Sequence, residues 1–140
     1  MRVNTDAIHD GADQFFQWLS VDPVTSAVSI LFYDRRLDPE NKKTLVTLAR
    51  STDDGQSFQN YAWSEKPFVA AEQDFMGDYS GIASFNDRVY GAWAEDTVPK
   101  KKTPDKEKKP SPATGEDHSS DHTIVRVGVA DFSAGGLPKQ

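Results

Sequence analysis

The chain contains no cysteine among its 140 residues, so a disulfide framework, a zinc ribbon and a thiol nucleophile are all excluded. No apolar run approaches the ~20 residues that cross a membrane as a helix, and residues 1–14 lack the apolar centre of a signal peptide. Positive charge is also scarce, with 16 basic against 22 acidic residues. Because nucleic-acid backbones are bound by basic surfaces, nucleic acid is not expected as a partner. The lack of a long apolar run likewise predicts no membrane span.

Helical periodicity is missing as well, and short apolar runs bounded by Gly, Pro, Asn and Asp predict β-strands instead. The runs at residues 15–21 and 27–33 flank a DPVTS turn, which indicates an antiparallel hairpin. Residues 44–49 alternate with a period of two, and a short run at residues 59–63 follows. Together these runs predict a four-stranded unit over residues 14–66.

The same pattern restarts further along the chain, about 65 residues later. Strands are predicted at residues 79–85, 88–94 and 123–132, and the first two flank an Asn-Asp turn. They form a second unit that covers residues 67–96 and 123–133. The interval between the units is on the scale of a propeller blade with its loops. The fold class expected from these patterns is all-β.

The segment at residues 97–122 interrupts the second unit with lysine, proline, serine and acidic residues. It has no large apolar residue after Val98, so it cannot bury enough surface to offset its ordering entropy and is predicted to be disordered. An alternative is that its lysines bind an anionic polymer. Residues 1–13 are interpreted as a polar lead-in and residues 134–140 as a tail.

One specific motif stands out, the sequence STDDGQSF that begins at Ser51. Its spacing fits a turn whose own side chains satisfy its backbone, because Ser51 and Asp53 can accept hydrogen bonds from turn amides and can bond to each other. Gly55 permits a positive φ that other residues resist. Phe58 is expected to return to the sheet and bury its ring.

This motif resembles the Asp box, which joins the third and fourth strands of blades in sialidase-like (BNR-repeat) β-propellers. The sequences DRR at residues 34–36, GDYSGIA at 77–83 and VYGAWAE at 89–95 are similar to segments of that superfamily. The resemblance implies about two four-stranded antiparallel blades from the C-terminal part of such a propeller. The remaining blades would then be partners, and the parent protein would be secreted, periplasmic or located at the cell surface.

The resemblance also implies catalytic roles, since sialidases use a tyrosine nucleophile and an arginine triad that holds the substrate carboxylate. Tyr79 corresponds to the nucleophile, and Arg35 or Arg36 corresponds to a carboxylate-binding arginine. This sequence departs from the family because the other two arginines, the aspartic acid and the activating glutamate have no counterpart in it. The alternative interpretation is structural, with Tyr79 packed near the propeller channel and Arg35 paired with Asp34 or Asp38 in a loop.

Other candidates for chemistry are weaker. His118 and His122 are four residues apart, but their sequence context does not predict the helix that such a metal site needs, so no metal and no cofactor are expected. Trp18, Trp63 and Trp93 are expected in the core more than at a sugar-binding surface.

The resemblance implies that the chain is part of an exo-α-sialidase-type glycosyl hydrolase that acts on or binds glycans, and that the chain is inactive by itself. The alternative is a propeller that binds glycans or proteins without catalysis.

Overall fold

The computed structural model describes residues 1–69, 78–96 and 123–135, and within these residues it contains β-strands and no helix. The predicted all-β class with antiparallel sheets is thereby confirmed. The strands are β1 (Gln14–Val21), β2 (Val28–Asp34), β3 (Lys43–Ser51), β4 (Gln59–Ala62), β5 (Phe68–Val69), β6 (Gly81–Phe85), β7 (Arg88–Asp96) and β8 (Thr123–Asp131).

The first sheet is an antiparallel meander in the order β1-β2-β3-β4, as the alternation and turn signals predict. The short strand β5, which the sequence pattern does not indicate, pairs with the beginning of β3 through Lys43 and Thr44. A bulge between Phe15 and Trp18 shifts the register of β1 against β2, and Phe16 takes a positive φ of 53° there.

The second sheet has the order β6-β7-β8 and is also antiparallel. The predicted pairing of residues 88–95 with residues 123–132 is confirmed, because β7 and β8 pair along their whole length from Arg88↔Asp131 to Asp96↔Thr123. The predicted disordered insertion at residues 97–122 lies outside the described residues. So do residues 136–140 of the predicted tail.

The hydrophobic core lies between the two sheets. The first sheet and the segment after it contribute Leu31, Tyr33, Val46, Leu48, Trp63 and Phe68, and the second sheet with its following turn contributes Val89, Trp93, Ala130 and Phe132. The rings of Trp63 and Trp93 meet with centroids 5.3 Å apart. Since each large aromatic side chain buries 150–250 Å² (roughly), this pair is a main source of cohesion between the sheets.

Two glycines make this aromatic contact possible. A Cβ atom on Gly91 would lie 2.5 Å from the Trp63 ring, and a Cβ atom on Gly128 would lie 2.5 Å from the Trp93 ring. Real Cβ atoms do not approach other atoms so closely, and both rings are buried. Glycine at these two positions therefore lets the indoles lie directly against the backbone of β7 and β8.

Asp22 ties the two sheets together at one end of the core. Its buried carboxylate accepts hydrogen bonds from backbone N–H groups of both hairpin turns, which are those of Val24 (2.9 Å), Thr25 (3.3 Å), Asn86 (3.1 Å) and Asp87 (2.8 Å). Burial alone would raise the pKa of Asp22, but these hydrogen bonds outweigh it and hold the pKa below its usual value. Asp87 in turn forms an ion pair with Arg50 of β3.

Tyr33 forms a second tie between the sheets. Its hydroxyl donates to the carbonyl oxygen of Ala94 at 2.7 Å and accepts from the N–H of the same residue at 3.1 Å. Burial, together with the charge of Glu95, raises the pKa of Tyr33 to about 12. The phenol therefore stays neutral at physiological pH and can serve both hydrogen bonds.

The far sides of the two sheets differ. Residues 3–6 of the lead-in cross the far side of the first sheet, where Asn60 bonds to the backbone of Val3 and of Thr5. The far side of the second sheet, here called the outer face, is apolar and exposed, and it consists of Phe85, Tyr90, Val125, Val127 and Val129. No helix of the described residues is long and apolar enough to cross a membrane.

Candidate functional site

The turn between β3 and β4 has the geometry expected of an Asp box. The Ser51 hydroxyl donates to Asp53 Oδ1 at 2.7 Å and accepts from the N–H of Gly55 at 2.9 Å. Asp53 also accepts from the N–H of Ser57 at 2.9 Å and from its hydroxyl at 2.6 Å. Gly55 has a φ of +78°, the left-handed conformation that the sequence predicts.

The charge of Asp53 is stabilised by these contacts. Hydrogen bonds from the side chain and backbone of Ser57, with a further one from Ser51, lower the pKa of Asp53 to about 2. Phe58 departs from the prediction, because its ring is half-buried and is not part of the core between the sheets. Trp63, which directly follows β4, contributes its ring to that core.

Arg36 lies just after β2, where the sequence predicts a carboxylate-binding arginine, and its guanidinium is fully engaged within the protein. The Nε atom donates to Asp34 at 2.5 Å, one Nη atom to Thr5 at 3.0 Å and the other to Asn60 at 2.9 Å. Asp6 is 3.7 Å from the same group. A ligand carboxylate at Arg36 would have to displace buried protein oxygens.

Arg35 lies beside it and points toward a different set of partners. It bonds to the carbonyl oxygen of Asn41 at 2.8 Å and to the Thr44 hydroxyl at 3.3 Å, and it forms an ion pair with Asp13 at 3.4 Å. The Asp13 side chain is 60% exposed, so this ion pair is open to water and easily exchanged. Of the two arginines, Arg35 is the one whose carboxylate partner a ligand could replace.

Tyr79 lies two residues before β6, which begins at Gly81 and not at Tyr79 as the sequence predicts. Tyr79 is 85% exposed, so it makes little contact with the described part of the chain. Within the described residues, no contact joins it to Arg35 or Arg36. The next residue, Ser80, donates to the carbonyl oxygen of Phe16 at 3.1 Å and fixes the start of the second sheet against the bulge in β1.

The remaining candidates take structural positions. Trp63 and Trp93 lie in the core as expected, whereas Trp18 on β1 is 53% exposed. The sequence does not predict Asp6, Asp13 or Asn60 as partners of the arginines, because they are distant in the chain and no motif links them. Across the described part of the chain, no group of three or more His, Cys, Asp or Glu residues is arranged to hold a metal.

No protein-family model, no curated protein and no solved structure matches this chain. A functional interpretation therefore depends on the side chains described above. Among them, the Asp-box turn has the most specific geometry, and the pair Arg35 and Arg36 has the chemistry best suited to an anionic ligand.

Proposed function

We propose that this chain forms two neighbouring blades of a sialidase-like Asp-box propeller, and that the complete ring acts on acidic glycans as an exo-α-sialidase-type glycosyl hydrolase. The observation that carries the proposal is the Ser51–Phe58 turn, which joins the third and fourth strands of a four-stranded antiparallel meander. A β-propeller is built from such meanders, typically 4–8 of them (roughly) around a channel. The remaining blades, as partners, would complete the ring.

In this proposal Tyr79 is the nucleophile and Arg35, with Arg36, binds the substrate carboxylate. A tyrosine suits this reaction because the anomeric carbon of a sialoside already carries a carboxylate, which would repel an Asp or Glu nucleophile. The guanidinium forks recognise that carboxylate in two-point contact. A complete site also needs a general acid, and the other blades would supply it. We therefore expect the chain by itself to be inactive.

A second candidate function is a propeller at the cell surface that binds glycans or proteins without catalysis. It is favoured by the ion pairs of the arginines, because Arg36 is held by Asp34 and Asp6 and Arg35 by Asp13. Two guanidiniums that are already neutralised bind a further carboxylate more weakly than open ones.

The test compares hydrolysis of a fluorogenic sialoside by this chain and by the longer parent protein encoded in the same reading frame. We expect no turnover by the chain, turnover by the parent, and loss of turnover in the Tyr79→Phe variant of the parent. Loss of the nucleophile, or loss of the general acid, lowers the rate of hydrolysis by about 10²–10⁴ or more. Tyr90→Phe, a change of the same kind at another exposed tyrosine, is the matched control.

Three results would contradict parts of the proposal. Turnover by the chain itself that disappears in Tyr79→Phe would make it a self-sufficient enzyme. Full turnover by the parent after Tyr79→Phe would remove Tyr79 from catalysis. Binding of sialosides by the parent without any hydrolysis would select the second candidate function.

A further inference from the structure

A cleft of about 280 Å³ opens between the two sheets, away from Arg35, Arg36 and Tyr79. One wall is the segment Trp63–Lys66, and the other is formed by Trp93 and Glu95 of β7 and by residues 126–129 of β8. Its size is close to the lower end of ligand pockets, about 300 Å³, which suits a ligand as large as one sugar ring. The cleft combines apolar indoles with side chains of both charges.

Glu95 is fixed in this cleft by two donors. Its Oε1 accepts from the indole N–H of Trp93 at 2.8 Å, and its Oε2 accepts from Nε of Arg126 at 3.0 Å. The Glu95 side chain is only 12% exposed, whereas Arg126 is 52% exposed. A carboxylate has about four acceptor positions. Among the described residues these are its two donors, so Glu95 keeps free acceptor positions on a carboxylate that is already fixed in place and loses little entropy on binding.

Trp63 offers a donor on the opposite wall. Its indole N–H has no hydrogen-bond partner among the described residues, and its nitrogen lies against the backbone of β8, 2.8 Å from the position that a Cβ of residue 128 would occupy. Indole N–H groups usually find a partner when they are largely buried. The Trp63 and Trp93 rings, which are 9% and 4% exposed, also line the cleft and supply a small apolar surface there.

We propose that this cleft is a binding site for a neutral pyranose ring of a glycan. A pyranose has hydroxyl groups that both donate and accept, and it has apolar C–H faces. Its hydroxyl protons bond to Glu95, its oxygens accept from the Trp63 indole and from the guanidinium of Arg126, and its C–H groups contact the small exposed part of the indole rings. All three kinds of group converge on one cleft of matching size.

The charges of the cleft favour a neutral sugar over an acidic one. The positive charge of Arg126 is already neutralised by Glu95, and Lys66 and Glu65, which also line the cleft, carry opposite charges. A sugar carboxylate placed at Arg126 would come close to the poorly solvated carboxylate of Glu95, and like charges at short distance repel. The cleft therefore selects a neutral unit, such as a hexose that neighbours an acidic sugar in a branched or linear glycan.

The site goes beyond the proposed function, because it lies apart from Tyr79 and takes a different class of sugar. Its test therefore uses neutral ligands, and the sialoside assay is not involved. The chain has three tryptophans, of which Trp18 is remote from the cleft. Their indole N–H signals can be followed separately by ¹H–¹⁵N correlation spectroscopy during titration of the full chain with methyl glycosides of glucose, galactose, mannose and N-acetylglucosamine.

We expect the Trp63 indole signal to shift in a saturable way with at least one neutral glycoside, with a Kd on the order of 1 mM. The Trp18 signal should stay in place. Arg126→Ala should weaken binding about tenfold, since it removes one charged donor. Arg88→Ala is the matched control, because Arg88 forms the same kind of exposed ion pair, with Asp131, elsewhere on the second sheet.

Several outcomes would overturn the proposal. One is the absence of a saturable Trp63 shift with all four neutral glycosides in the folded chain. Another is a shift with free sialic acid that exceeds the shift with every neutral sugar. A third is equal weakening of binding by Arg126→Ala and Arg88→Ala. Spectral dispersion of each variant shows whether it is folded, and both arginines are exposed, so neither change should unfold the protein.

Discussion

The two sheets are built from similar hairpins, but they differ in how their far sides are covered. In the first sheet, residues 3–6 of the same chain cross the far side and bond to Asn60 and Arg36, so that Phe32 there is only 4% exposed. In the second sheet the outer face has no such cover among the described residues, and Val125 and Val127 are more than 70% exposed (75% and 72%). A contiguous apolar face of this kind typically marks an interaction surface.

The contacts that stabilise this chain are therefore concentrated at the junction between the two sheets. Both sheets bury their facing sides there, and the ties made by Asp22 and Tyr33 cross it. The outer face contributes little to folding, although it would suit contact with a further blade. Changes at the junction and changes at the outer face should therefore have very different effects.

The largest effect is expected from Gly91→Ala at the junction. The new methyl group would lie 2.5 Å from the buried Trp63 ring, which cannot move away because Trp93 and Leu31 pack around it. Overpacking of this kind lowers the free energy of unfolding by about 3 kcal/mol. Chemical denaturation measures the loss. Gly81→Ala on the same sheet is the control, since nothing lies within 4 Å of its Cβ position. Equal stabilities of the two variants would contradict the proposed concentration of stability at the junction.

A smaller but clear effect is expected from Asp22→Ala. It leaves the buried amides of both hairpin turns without their acceptor, which should lower the free energy of unfolding by about 2 kcal/mol. Asp22→Asn, which keeps one acceptor oxygen but adds an N–H group among donors, should lower it by a similar amount. If Asp22→Ala unfolds at the same denaturant concentration as the parent, the carboxylate does not hold the two hairpins together.

The Asp22 contribution should also depend on pH in one direction. The folded-state pKa lies below the unfolded value of about 3.9, so the contribution is fully present above that pH and is lost as the pH falls through the lower folded-state pKa. Unfolding measured between about pH 6 and about pH 2 should therefore show a smaller acid-induced loss in Asp22→Asn than in the parent. An identical pH profile for both proteins would contradict the direction of the shift.

A still smaller effect is expected at the hydrogen-bonded turn of residues 51–58, which joins β3 to β4. Asp53→Ala removes the acceptor of both Ser57 hydrogen bonds and of the Ser51 hydroxyl, so the melting temperature should fall by several degrees. Thr52→Ala in the same turn changes an exposed side chain and serves as the control. Circular dichroism during heating compares them, and equal melting temperatures for Asp53→Ala and the parent would remove the structural role of the motif.

The smallest effect is expected at the outer face. Val127→Thr should change the free energy of unfolding by less than about 0.5 kcal/mol, as exposed substitutions usually do. The same change at Val46, which is 0% exposed in the junction, should cost about 1–3 kcal/mol because a hydroxyl is buried. Denaturation of the two variants should therefore show a clearly larger loss in the free energy of unfolding for Val46→Thr than for Val127→Thr. A loss at Val127 as large as that at Val46 would show that the outer face is covered in solution.

Much of the local architecture could be predicted from the sequence. The hairpins, the antiparallel order and the hydrogen-bonded turn after Ser51 follow from period-two alternation and from turn residues within a few positions of each other. The two residues of β5 gave no such signal, because a strand of this length has no period. Partners distant in the chain could not be predicted either, as with Asp22 and the turn at Asn86, since only packing of the sheets brings them together.

The arginines illustrate the same limit. The structural interpretation pairs Arg35 with Asp34 or Asp38, which are close to it in the chain, whereas Asp34 forms its ion pair with Arg36. Arg35 instead pairs with Asp13, which lies before β1, because the meander places the start of β1 beside the end of β2. Gly128 is a different case, since an isolated glycine inside an alternating strand is itself a signal that another group approaches the backbone closely.

The hydroxyl of Tyr33 gives the junction an optical reporter. Because its pKa is raised to about 12, Tyr33 should remain a neutral phenol in alkali until the sheets separate, and its stabilising contribution is present below about pH 10 and lost as the pH rises through about 12. Phenolate absorbance from this one of the four tyrosines should therefore appear together with the loss of near-ultraviolet circular dichroism from the packed indoles. In alkali, ionisation of Tyr33 and opening of the junction should be observed as a single transition.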